Sequence, residues 1–154
     1  MAGRDKKRPP IFVLSSALTS EPIMMRLQKT IASADLLTLL ASPVTLLLAP
    51  GANKYHIIHF ALTDYHSGAT PYTLGDNTSF LLGAAAAPLT AVPLAGNIDQ
   101  PTDMITVQPP FAISLVAAPQ LNQNILCSLD GSVELTNGDG TVTFIIYYTT
   151  ETIV

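Results

Sequence analysis

The chain has 154 residues, 48% of them apolar and only 12% charged, with seven basic and eleven acidic residues giving a formal net charge of −4. That length suits one domain able to bury its own core, and the acidic balance argues against a nucleic-acid-binding body, which needs a basic face. No apolar run reaches the roughly 20 residues of a membrane-spanning helix, and the single cysteine, Cys127, excludes an intramolecular disulfide framework.

The basic residues are unevenly placed. Arg4, Lys6, Lys7 and Arg8 lie in the first eight positions, and none follows Lys54. Residues 1–20 read as an extended arm: a basic start, Pro9-Pro10, then the apolar run Ile11, Phe12, Val13 and Leu14. Prolines push the residues before them away from helix, so this arm is expected to be strand-like or irregular. Its apolar run is too short for a secretory signal, and nothing in it directs export. A basic arm that continues into apolar residues suits docking on an acidic partner better than a free solubilising tail.

The body, residues 21–154, is expected to be one β-rich domain. Ser33 to Ala41 carries the one helical signal, with Ser33 as N-cap and Pro43 as stop. After it come short strand-like runs at Val44–Leu48, Tyr55–Thr63, Ser79–Leu82, Ala91–Leu94, Met104–Gln108, Phe111–Val116, Ile125–Leu129 and Val133–Leu135, separated by Gly, Pro, Asn and Asp. Such runs with turn chemistry every 8–12 residues or so point to an all-β sandwich or barrel. The Ala- and Pro-rich stretch Gly83–Gly96 carries no charge and reads as a weak strand and loop.

The final run is the strongest. Asn137-Gly-Asp-Gly140 offers residues that tolerate positive φ, as a tight hairpin requires. Thr141–Thr150 follows, with Val142, Phe144, Ile146 and Tyr148 expected on the core side. It holds no lysine gatekeeper, so it must be central in a sheet or covered by a partner. Tyr55–Thr63 is likewise apolar on both faces. These two strands mark His56, Ile58, Phe60, Ile145 and Tyr147 as the expected contact residues of a homo-oligomer.

Little in the sequence points to catalysis. His56 and His59 lie on opposite faces of a strand and cannot chelate one metal, so no metal or cofactor is expected. Asp64, His66 and Ser67 supply the residue types of a hydrolase triad, but no Gly-x-Ser-x-Gly elbow accompanies them, and a polar loop is the simpler reading. Cys127, with Leu126 and Leu129 flanking it and no base near in sequence, reads as a buried inert thiol. A carbohydrate-binding reading would draw on Tyr65 and Tyr72 as an aromatic platform with Asp64, Asp76 and Asn77 beside it.

Several segments, taken in order, resemble a family of small structural proteins of tailed bacteriophages. They are Ile31-Ala-Ser-Ala-Asp-Leu-Leu-Thr-Leu39, Pro43-Val-Thr-Leu-Leu-Leu-Ala-Pro-Gly-Ala-Asn-Lys54, the strand from Tyr55, Pro71-Tyr72, Asn124-Ile-Leu126 and Gly138-Asp-Gly-Thr-Val-Thr-Phe-Ile-Ile-Tyr-Tyr148. The resemblance implies a jelly-roll-like antiparallel β-sandwich, usually trimeric and without catalytic residues. The resemblance leaves the place on the virion open; with the charge-poor body and the basic arm, the expectation is a capsid decoration (cement) protein on the outer surface of the virion, assembled in the host cytoplasm and bound to the major capsid protein. A head- or tail-fibre module binding host glycans is the alternative within the same resemblance. The N-terminal arm lies outside the matched segments.

Overall fold

The computed structural model describes residues 23–84, 87–108 and 121–153. The arm residues Arg4, Lys6, Lys7, Arg8, Ile11, Phe12, Val13 and Leu14, and the strand expected at Phe111–Val116, lie outside the described residues. Ten strands and one helical turn are described: β1 (Met25–Ile31), α1 (Ser33–Leu36), β2 (Val44–Leu47), β3 (Lys54–His66), β4 (Tyr72–Thr73), β5 (Ser79–Ala84), β6 (Ala87–Pro93), β7 (Met104–Gln108), β8 (Ile125–Leu129), β9 (Thr136–Asn137) and β10 (Thr141–Thr152).

Two four-stranded sheets form, in the orders β1-β10-β3-β7 and β2-β8-β5-β6, with β4 and β9 as a small third pair. Every pairing is antiparallel. The pairs β1·β10, β2·β8, β3·β7 and β5·β6 nest inside one another along the chain, so the fold is one long hairpin rolled up on itself. Rolling adds the closing pairs β10·β3 and β5·β8. This is the jelly-roll arrangement of an all-β sandwich.

The core lies between the sheets. Ile31, Val142, Phe144, Ile146, Ile58, Ala61 and Tyr65 from the first sheet meet Leu46, Ile125, Cys127, Leu129, Phe80, Leu82 and Val92 from the second, all buried. Phe80 and Phe144 join across the gap, edge to face, with ring centroids 5.4 Å apart. That is a favoured aromatic geometry, in which the positive ring edge meets the negative face.

Three local expectations are corrected. The helix is a single turn whose N-cap is Ala32, with no side-chain cap; Ser33 is already inside it. Loose turns carry the chain on, and Glu134 accepts the backbone N–H groups of Leu40 and Ala41 at 2.9 and 2.7 Å. Leu36 in the helical turn and Leu39 just beyond it are fully buried, so burial rather than capping fixes this segment. Val133–Leu135 is not a strand; the short β9 after it pairs with β4. Asn137 (φ 63) and Gly138 (φ 38) do adopt positive φ. They turn a corner from the small β4·β9 pair into β10, and do not close a hairpin.

The strand β10 is central, paired along β1 on one side and β3 on the other. Its need for partners is therefore met inside the chain. Val142, Phe144 and Ile146 are buried, and Tyr148 packs half-buried against them.

A β-bulge decides which side chains face outward. Tyr147 pairs with Phe60 and Tyr148 with Ile58, leaving His59 as the extra residue on β3. A bulge inserts one residue against the partner and shifts the inward–outward alternation by one. Before it, His56 and Ile58 point inward; after it, Ala61, Thr63 and Tyr65 do, and Phe60 and Leu62 turn outward.

Candidate functional site

The outward surface of the sheet β1-β10-β3-β7 is the most unusual face of the molecule. Strand register sets its side chains in rows. Arg26, Tyr147 and Phe60 form the first, and Gln28, Ile145, Leu62 and Val107 the second. Thr30, Thr143, Asp64 and Ile105 form the third. Six neighbouring positions are thus apolar: Phe60, Leu62, Ile105, Val107, Ile145 and Tyr147. Ile105 and Val107 remain 65% and 54% exposed, the other four half-buried. The Phe60 and Tyr147 rings pack at 5.6 Å.

A sheet face turned to water usually alternates with the core side as polar against apolar. Here the polar positions are pushed to the margins. Within the three rows the only charged side chains are Arg26, on the edge strand β1, and Asp64, on β3. The Arg26 guanidinium donates to Gln28 Oε1 at 2.9 Å, and Thr30 and Thr143 share a hydroxyl hydrogen bond of 2.8 Å. What the six apolar side chains can do is bury their surface against a complementary one.

The five expected contact residues divide between two faces. Phe60, Ile145 and Tyr147 lie together in the outward rows, whereas His56 and Ile58 are buried inside the sandwich, at 6% and 4% exposure. The bulge at His59 is the reason. His56 is a satisfied core histidine: Nε2 donates to the Leu48 carbonyl at 2.9 Å, and Nδ1 lies 2.9 Å from the Thr150 hydroxyl. A carbonyl only accepts, so Nε2 carries a proton. Leu62, Ile105 and Val107 complete the face and were not among the expected residues. The alternation of Ile105 and Val107 with Met104, Thr106 and Gln108 signals a shared side of one strand, but which side faces water follows only from the pairing.

Asp64, His66 and Ser67 end up close together without forming a triad. His66 lies between two carboxylates, with Nε2 3.4 Å from Asp64 and Nδ1 3.5 Å from Asp103. The Ser67 hydroxyl donates to Asp103 at 3.0 Å, and its backbone N–H to the same oxygen at 2.8 Å. The serine is therefore committed to a carboxylate that also holds its backbone, and the polar-loop reading describes the geometry. Among the described residues no group of three or more His, Cys, Asp or Glu is placed to hold a metal ion.

Tyr65 and Tyr72 cannot serve as a sugar-stacking platform, since they are 0% and 3% exposed. Burial pushes both phenols above their ordinary range, and the Tyr72 hydroxyl donates to the Gly140 carbonyl at 2.7 Å. Cys127 is fully buried, and burial pushes its thiol up, away from the reactive thiolate. No described helix is long and apolar enough to cross a membrane. The chain has no significant match among family models, curated proteins or solved structures.

Proposed function

We propose that this chain is a non-enzymatic structural protein of a virus particle, a capsid decoration (cement) protein. Copies associate through their β-sandwich bodies, three in the reading the sequence resemblance favours. The basic N-terminal arm, Arg4 to Leu14, holds the assembly on the major capsid protein. The observation that carries this reading is the apolar outward face of β1-β10-β3-β7, on a body with no basic residue after Lys54. Contiguous exposed apolar surface on a folded domain marks a place where another surface belongs. The jelly roll lends fold-level support, since viral capsid domains use it; fold by itself does not assign function.

The division of labour has a direct test. Virus particles assembled with the full chain should show added density on the head in electron cryomicroscopy. Particles assembled with a chain lacking residues 1–14 should show none, while the truncated chain keeps the solution mass of the full one. Unchanged head occupancy after the deletion would refute the docking role of the arm. Density on a fibre tip instead of the head would refute the cement reading as a whole.

A further inference from the structure

We infer that the outward face of β1-β10-β3-β7 is the contact between copies of this chain, and that Arg26 of one copy meets Asp64 of the next in a closed ring. The inference rests on the assembly reading above and names the surface that performs it. The strands are spaced by roughly 4.8 Å, and side chains on one face repeat every two residues. The six apolar positions, each covering about 33 Å² of sheet, therefore form one contiguous footprint of roughly 200 Å², with Ile105 and Val107 its most exposed members.

The charges around this patch select the occupant. Arg26 sits at one corner, on the edge strand; Asp64 sits diagonally opposite, two strands in and two rows on, with Ile145 between them by register. A copy of the same chain, rotated about a ring axis, brings the Arg26 side of each subunit against the Asp64 side of its neighbour. Each contact then joins opposite charges across a shared apolar centre. A ring made from one head-to-tail contact closes without leaving an apolar face open at either end. Like charges set against each other in such a contact repel, so the same pair also rejects the wrong register.

Three further groups border the pair. His66 lies beside Asp64 at 3.4 Å, Asp103 lies beyond His66 at 3.5 Å, and Gln28 holds Arg26. Among the described residues no carboxylate pairs with Arg26, which leaves its charge to answer the neighbour's Asp64.

The test uses the full chain in solution, without capsids. In an equal mixture of nitrogen-14 and nitrogen-15 copies, a Gln28→p-benzoylphenylalanine variant is irradiated and its cross-links are located by mass spectrometry. The expected product joins chains of different isotope, from position 28 to residues 62–66 or 104–108 of the other copy. A cross-link confined to one chain, whether to residues 1–22 or 109–120, overturns the inference, because a segment of the same chain then covers the face. A full chain that sediments as a monomer overturns it too.

Charge exchange supplies the second arm. Arg26→Asp and Asp64→Arg should each weaken association by about tenfold or more, a loss of ~1.4 kcal/mol or more, and the double variant should recover most of it. Unchanged association in the single variants, or a double variant as weak as either, overturns the pairing. Both positions are on the outward face, and circular dichroism melts verify that each variant folds. A ring that forms but decorates no virus head leaves this contact standing and removes the cement reading. A monomer that decorates heads does the reverse.

Discussion

Six carboxylates of the body accept backbone N–H groups. Asp76 takes those of Ser132 and Val133, Asp103 that of Ser67, Asp130 those of Thr78 and Ser79, and Glu134 those of Leu40 and Ala41. Asp99 takes that of Gly96, and Asp139 that of Thr70. These six acids are therefore partnered by backbone N–H groups rather than by lysine or arginine, which helps an acidic body tolerate having no basic residue after Lys54. Hydrogen bonds to the ionised form favour it. The Ser132 hydroxyl and N–H hold the Asp76 carboxyl below its ordinary range. The Ser67 N–H and hydroxyl do the same for Asp103. At Asp130 partial burial pulls the other way, but hydrogen bonds from Thr78 and Ser79 outweigh it. A carboxyl with a depressed folded-state pKa contributes stability above its unfolded value of about 4, and loses it as pH falls through the folded value. Thermal melts should thus change little from pH 7 to about pH 5 and decline below about pH 4. Asp76→Asn should lower the melting temperature at pH 7 and show a shallower acid decline; a decline as steep as the parent's counts against this account.

At the scale of elements, the corner from Asn137 to Gly140 shows what turn chemistry does and does not encode. The residues call for positive φ, and Asn137 and Gly138 adopt it. Their destination depends on the distant Tyr72: the β4·β9 pair brings its ring against Gly138, where a Cβ would overlap it. A Cβ on Gly140 would lie 2.6 Å from the His66 carbonyl oxygen. Gly138→Ala combines left-handed backbone strain with that overlap and should cost about 2–4 kcal/mol in urea denaturation; a loss below about 0.5 kcal/mol would mean the corner yields freely. The bulge at His59 teaches the same lesson. Period-two alternation is legible in Lys54–His66, but nothing in those residues announces where the count slips. Phe60 is outward and Ile58 inward only because Tyr147 and Tyr148 pair as they do. The helix shows the converse error: Ser33 has good capping chemistry, yet the chain enters the turn from Ala32 because burying Leu36 and Leu39 sets the register.

At the scale of the molecule, the all-β class and most strand positions are readable because β-branched and aromatic runs, broken by Gly, Pro, Asn and Asp, are local properties. The nesting of β1·β10 around β2·β8, β3·β7 and β5·β6 is not local, since its outermost pair joins residues more than 100 positions apart, such as Ile31 and Val142. The two sheets must therefore be held to each other by side chains rather than by ladders. The Phe80–Phe144 contact is the place to measure that coupling, because each ring is fully buried and each belongs to a central strand of its own sheet. Phe80→Leu and Phe144→Leu should each cost about 1–3 kcal/mol. If the edge-to-face contact couples the sheets, the two losses should fall short of additivity by about 0.5–1.5 kcal/mol in a double-mutant cycle. Denaturant unfolding of the parent should then be a single transition, identical by tyrosine fluorescence and by far-ultraviolet circular dichroism. Full additivity, with one sheet melting before the other, would mean that the sheets are stabilised separately and that the rolled hairpin is held by its pairings alone.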